Sequence, residues 1–100
     1  MFKELNKENF KDETSMGLRL VNFYTSWCGY CKKQDEVLKD LSESGFWIGK
    51  LDCDKYSHIA SSYNVAGYPS FILFKNGKIA AQFAGYHAKG QLLNKLTAHI

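Results

Sequence analysis

The feature that most constrains this chain is a change of hydrophobic period between Leu18 and Ser44. Leu18 to Thr25 (LRLVNFYT) is dense in Leu, Val, Phe and Tyr and reads as a central strand. Ser26 is a turn residue, and from Cys28 to about Ser44 the period becomes helical. Cys31, Gln34, Val37, Leu38 and Leu41 then share one face, while Lys32, Lys33, Asp35, Glu36, Lys39 and Asp40 fill the rest. Gly45 suits the position just past the helix end, and Phe46 to Asp52 (FWIGKLD) reads as a second buried strand. Strands joined by a helix in this way are expected to be parallel, with a right-handed crossover.

The remaining segments extend that unit. Met1 to Leu5 reads as a short edge strand. Asn6 reads as the cap of a helix from about Lys7 to Thr14, with Asn9 where a capping box prefers Glu or Gln, and Phe10 as the apolar anchor. Ser57 to Tyr63 reads as a short helix. Ser70 to Phe74 (SFILF) and Lys78 to Phe83 (KIAAQF) read as strands around Asn76-Gly77, a pair that favours a tight antiparallel turn because both positions need φ > 0. Ala88 to Ile100 reads as a closing helix with Leu92, Leu93, Leu96 and Ile100 as its apolar stripe. The order is β-α-β-α-β-α-β-β-α: an α/β fold with a mixed central sheet and helices on both faces. One domain spanning residues 1–100 is expected, since the chain is 100 residues long and shows no linker or repeat.

Composition excludes several classes. Thirteen basic and ten acidic side chains leave a net charge of +3, too small and too scattered for a nucleic-acid stripe. No apolar run approaches the ~18 residues needed to span a bilayer. Met1 to Asn9 alternates charge with single apolar residues and lacks a signal-peptide core, so a cytoplasmic location is expected. Fifteen aromatic residues argue against disorder.

Three cysteines are too few for a disulfide scaffold. Cys28 and Cys31 are spaced C-x-x-C at a strand-to-helix junction, inside Trp27-Cys28-Gly29-Tyr30-Cys31. The spacing lets the two sulfurs meet across one helical turn. The location puts Cys28 beside the unpaired amides and positive end of the helix, where a thiolate is stabilised. Cys31 lies one turn inside and is expected to be more buried. The asymmetry makes Cys28 the attacking sulfur on a substrate disulfide and Cys31 the one that releases the reduced substrate. The competing reading is a zinc site completed by Cys53 and His58, but the helical start favours redox chemistry. Cys53 reads as a small buried filler, His58, His87 and His99 as surface residues, and Asp52 with Asp54 as a solvated strand end.

The sequence resembles the thioredoxin family across nearly its whole length. Val21-Asn22-Phe23-Tyr24 precedes Trp27-Cys28-Gly29-Tyr30-Cys31-Lys32 as the family's central strand precedes its active site. Gly67-Tyr68-Pro69-Ser70 looks like the cis-proline loop, Phe74-Lys75-Asn76-Gly77-Lys78 like the family hairpin, and Gly85 like the glycine before the last helix. Lys50 matches a lysine found near the buried thiol. The resemblance implies a thioredoxin fold with a cis Tyr68–Pro69 bond beside the dithiol, where an extended substrate strand pairs with backbone near Tyr68, Pro69 and Gly85. It implies reduction of protein disulfides through Cys28 and Cys31, no bound cofactor or metal, a monomer, and electrons from a flavin- and NADPH-dependent thioredoxin reductase. Three departures stand out. Gly29-Tyr30 replaces the usual Gly-Pro and is similar to the pair of some periplasmic disulfide isomerases. Asn22 replaces a buried acid. Glu36 replaces a helix-kinking proline, so a straighter helix is expected. The alternatives are a disulfide isomerase or oxidase, if the protein is exported, and a binding or chaperone module in which the dithiol is incidental. A glutaredoxin reading fits Trp27 and Gly29 less well.

Overall fold

The computed structural model describes Met1 through Ile100. Its elements follow in chain order: β1 Phe2–Glu4, α1 Phe10–Glu13, β2 Leu18–Tyr24, α2 Gly29–Glu43, β3 Trp47–Asp52, α3 Ser57–Ser62, β4 Ser70–Lys75, β5 Lys78–Ala84 and α4 Lys89–Thr97. They form one five-stranded sheet in the order β1-β3-β2-β4-β5. β3 pairs in parallel with both β1 and β2. β4, although it also follows a helix, runs antiparallel to β2. α3 and the loop after it leave the chain at the end of the sheet where β3 stopped, so β4 begins there and runs back, with Ser70 beside Phe23.

Side-chain alternation gives the sheet two apolar faces. Leu20, Ile48, Phe71 and Leu73 pack under α2 and α4 with Leu38, Leu41, Leu92 and Leu96. Val21, Phe23, Leu51, Cys53, Ile72 and Phe74 pack on the other face with Phe10 and Ala60. Ile100 does not join the first core: α4 ends at Thr97 and Ile100 is exposed.

Asn6 and Asn9 form the box expected before α1. Asn6 Oδ1 accepts from Asn9 N–H at 2.9 Å, and Asn9 Oδ1 accepts from Asn6 N–H at 2.8 Å. Regular helix starts only at Phe10, because Lys7 to Asn9 form a turn. The Asn76-Gly77 turn has φ 52° and 84°, as the tight hairpin requires. Asn76 Oδ1 also accepts from Gly17 N–H at 2.9 Å, tying the hairpin tip to the entry of β2. No helix is long and apolar enough to cross a membrane.

Candidate active site

β2 ends at Tyr24, and the turn after it is closed by Cys28 N–H donating to the Thr25 carbonyl at 3.4 Å. Cys28 has extended dihedrals and caps α2: its Sγ accepts from Cys31 N–H at 3.2 Å. The sulfur thus takes the place of the oxygen that Ser or Asp supplies at most helix starts, and one otherwise unpaired amide of the first turn points at it. Both cysteines are free thiols. Cys28 is 8% exposed and Cys31 3%. Burial pushes the Cys31 thiol up to about 12, and the hydrogen bond to Cys28 adds to this. α2 runs unbroken through Glu36, in line with the absence of a proline there.

The dithiol is rimmed by aromatic side chains. Trp27 and Tyr30, 69% and 64% exposed, border a shallow hollow of about 510 Å³ with Cys28, Gly29 and Lys33. Trp27 packs edge-on against Tyr68, ring centres 6.0 Å apart, which sets the Tyr68–Pro69 segment against the active-site turn. The Tyr68–Pro69 bond is cis. The Pro69 carbonyl accepts from Gly85 N–H at 2.7 Å, so Gly85, at φ 92°, lies at the same end of the sheet. The Tyr86 ring lies 6.5 Å from that of Tyr30, and the Lys33 ammonium sits 4.8 Å from its centre.

Beneath the turn, Asn22 and Lys50 are register partners on β2 and β3, on the face covered by α2. Asn22 is fully buried and donates a long 3.4 Å hydrogen bond to the Ser70 carbonyl. The Lys50 ammonium lies 2.7 Å from Asp35 Oδ1 on α2, an ion pair set off the axis of a well-formed hydrogen bond, and 4.1 Å from the Tyr24 ring centre.

Cys53 and His58 do not join the C-x-x-C pair, and no three His, Cys, Asp or Glu side chains converge on a point that would hold a metal ion. Cys53 lies at the same end of the sheet as the dithiol, its N–H bonded to the Tyr24 carbonyl, but its side chain belongs to the opposite core. Burial pushes its thiol up to about 12. His87 is half-buried at the surface, with its ring packed 4.8 Å from Phe83. Its backbone is clamped by Gln34, whose Nε2 donates to the His87 carbonyl at 2.8 Å and whose Oε1 accepts from His87 N–H at 2.9 Å. Asp54 is not merely solvated, since it accepts from Trp27 Nε1 at 3.0 Å. Sequence reasoning missed Gln34, Asp35 and Asp54 as parts of this region. Only Gln34 carried a signal, as an amide on an otherwise apolar helix face.

The thioredoxin family profile matches residues 1–98. Thioredoxin from Chlamydia caviae is 36% identical over 101 residues, covering 99% of each chain. Mouse protein disulfide-isomerase TMX3 is 36% identical over 98 residues, which is 92% of this chain and 21% of that protein. A mutant thioredoxin from Halobacterium salinarum NRC-1 superimposes with a TM-score of 0.91 at 27% identity, covering 98% of this chain and 88% of that one. A full-length match in sequence and fold, around a C-x-x-C pair that caps its helix, places this chain in the thioredoxin family of thiol–disulfide oxidoreductases.

Proposed function

We propose that one domain over residues 1–100 reduces protein disulfides, with Cys28 as nucleophile and Cys31 as resolving thiol. The observation that carries this is the capping geometry: the Cys31 amide at the start of α2 donates to Cys28 Sγ from 3.2 Å, marking it as the sulfur at the helix N-terminus. Cys31, pushed up to about 12, stays protonated near neutral pH and waits. Cys28 attacks one sulfur of the substrate disulfide, forms a mixed disulfide and expels the other sulfur as thiolate. Cys31 then displaces the second substrate sulfur from Cys28, and the Cys28–Cys31 disulfide carries the two electrons' worth of oxidation. Trp27, Tyr30, Tyr68, Pro69 and Gly85 bound the surface where the substrate strand lies. Electrons return from a thioredoxin reductase, and the setting is the cytoplasm. Alkylation followed by mass mapping across pH tests the assignment. Cys28 is expected to label first near neutral pH, and earlier labelling of Cys31 or Cys53 would overturn it.

Tyr30 and the likeness to protein disulfide-isomerase TMX3 favour a second reading, net isomerase or oxidase action in an oxidising compartment. Equilibrating the Cys28–Cys31 pair against glutathione separates the two. A strongly reducing pair supports the reductase, and one that oxidises glutathione readily supports the alternative.

A further inference from the structure

Three shielded side-chain oxygens flank the turn and helix that carry the dithiol, and none accepts or donates a well-formed hydrogen bond: Asn22 Oδ1, Thr25 Oγ1 and Asp35 Oδ1. Asn22 and Thr25 are almost wholly buried, and buried oxygens of this kind are normally paired. Their placement is informative. Asn22 sits on β2 opposite Lys50. Thr25 closes the turn that carries the dithiol, its carbonyl accepting from Cys28 N–H at 3.4 Å. Asp35 follows Cys31 by four residues on α2, so the two side chains share a helix face about 5–6 Å apart at Cβ. The Lys50 ammonium, 2.7 Å from Asp35, fixes that carboxylate on the sheet side of α2. Together these groups place polar atoms on the sheet side of α2, on the helix face that Cys31 shares with Asp35.

We propose that Asp35 is the proton acceptor for Cys31 when the mixed disulfide is resolved, with Asn22 Oδ1 and Thr25 Oγ1 orienting a bridging water and Lys50 positioning the carboxylate. The inference rests on the roles proposed above for Cys28 and Cys31. The Cys31 Sγ–H proton passes through the water to Asp35, leaving a thiolate. The thiolate attacks Cys28 Sγ, the Sγ–Sγ bond forms and the bond from Cys28 to the substrate sulfur breaks. The substrate sulfur leaves with the electron pair and is protonated by solvent, and Asp35 returns its proton to solvent. The dithiol loses two electrons and the substrate disulfide gains them.

No neighbouring group serves as well. Asn22 and the Thr25 hydroxyl do not titrate in this range, and the Lys50 ammonium has no lone pair to accept with. From β2, the Tyr24 hydroxyl donates to Glu4 Oε2 at 2.9 Å and is held well above its ordinary value by burial. Glu4 from β1 and Asp52 at the end of β3 act on Tyr24, on its outer side. Tyr68 is raised by burial, and Cys28 is part of the bond being attacked. Asp35 is the carboxylate one turn beyond Cys31 on α2, and its charge acts on that thiol.

The test uses the coloured aromatic disulfide DTNB and stopped-flow absorbance on the whole chain. The first release of aromatic thiol reports attack by Cys28, and the second reports resolution by Cys31. In Asp35→Asn, the second release is expected to slow by about a hundredfold at pH 7, the low end of what a positioned proton acceptor contributes, and to become proportional to hydroxide. Asp35→Glu is expected to restore the wild-type profile in part. A purely structural role for Asp35 would not change the order in hydroxide. An unchanged rate and pH profile for the second release in a folded Asp35→Asn protein would overturn the proposal. Loss of the first release in wild type would overturn the Cys28 assignment as well. If Asp35→Asn does not fold, Asp35→Ser takes its place with the same readout, and an unchanged rate and pH profile for its second release would overturn the proposal.

Discussion

At the scale of single residues, position relative to the sheet decides which sulfurs matter. Cys53→Ser is expected to keep most disulfide-reductase activity, because that side chain packs into the core on the far face from α2. A loss of activity with an intact fold, read in an insulin-reduction assay, would contradict this. Asp54→Ala is expected to free Trp27 while leaving stability nearly unchanged, since the 3.0 Å bond between them is exposed. Lower steady-state fluorescence anisotropy of Trp27, measured in a Trp47→Phe background, would report it. The pair Cys28 and Cys31 was legible from sequence because spacing and a strand-to-helix boundary are local facts. Asp35 and Asp54 were not. Each is an acid among other acids until the sheet brings Lys50 or the active-site turn brings Trp27 to meet it. The packing of His87 was not legible for the same reason, as Phe71 lies far from it in sequence and Phe83 reaches it across the turn after β5.

At the scale of elements, two side chains fasten segments that are distant in sequence. Gln34 holds the loop before α4 through both backbone groups of His87. Gln34→Ala is expected to cost about 2 kcal/mol by leaving partly buried backbone groups without partners. It is also expected to loosen Tyr86 and His87, seen as faster amide exchange there than in α2. Asn76→Ala is expected to cost about 1–2 kcal/mol in urea unfolding, since alanine adopts the left-handed turn poorly and drops the bond to Gly17. Hairpin and helices were readable from composition and period, because turn chemistry and amphipathic spacing act over a few residues. The antiparallel entry of β4 was not, because it depends on the end of the sheet at which the α3 segment delivers the chain, a relation between elements.

At the scale of the whole molecule, the raised thiols make stability depend on alkalinity. Cys31 and Cys53 titrate near 9.0 when exposed and at about 12 in the fold. Above pH 9 the unfolded chain loses these protons while the folded one keeps them, so unfolding becomes easier. Their contribution is fully present below pH 9 and gone by about pH 12. Urea midpoints measured from about pH 7 to 10.5 are expected to fall through the upper part of that range, and to fall less steeply in Cys53→Ser. A flat profile would contradict the burial argument. The same sheet that buries Cys53 on one face and seats Cys31 on the other also works as a partition for sulfur traffic. On the roles proposed above, a substrate held on Cys28 therefore has one further sulfur of this chain on its own side of the sheet, Cys31, while Cys53 stays behind the partition.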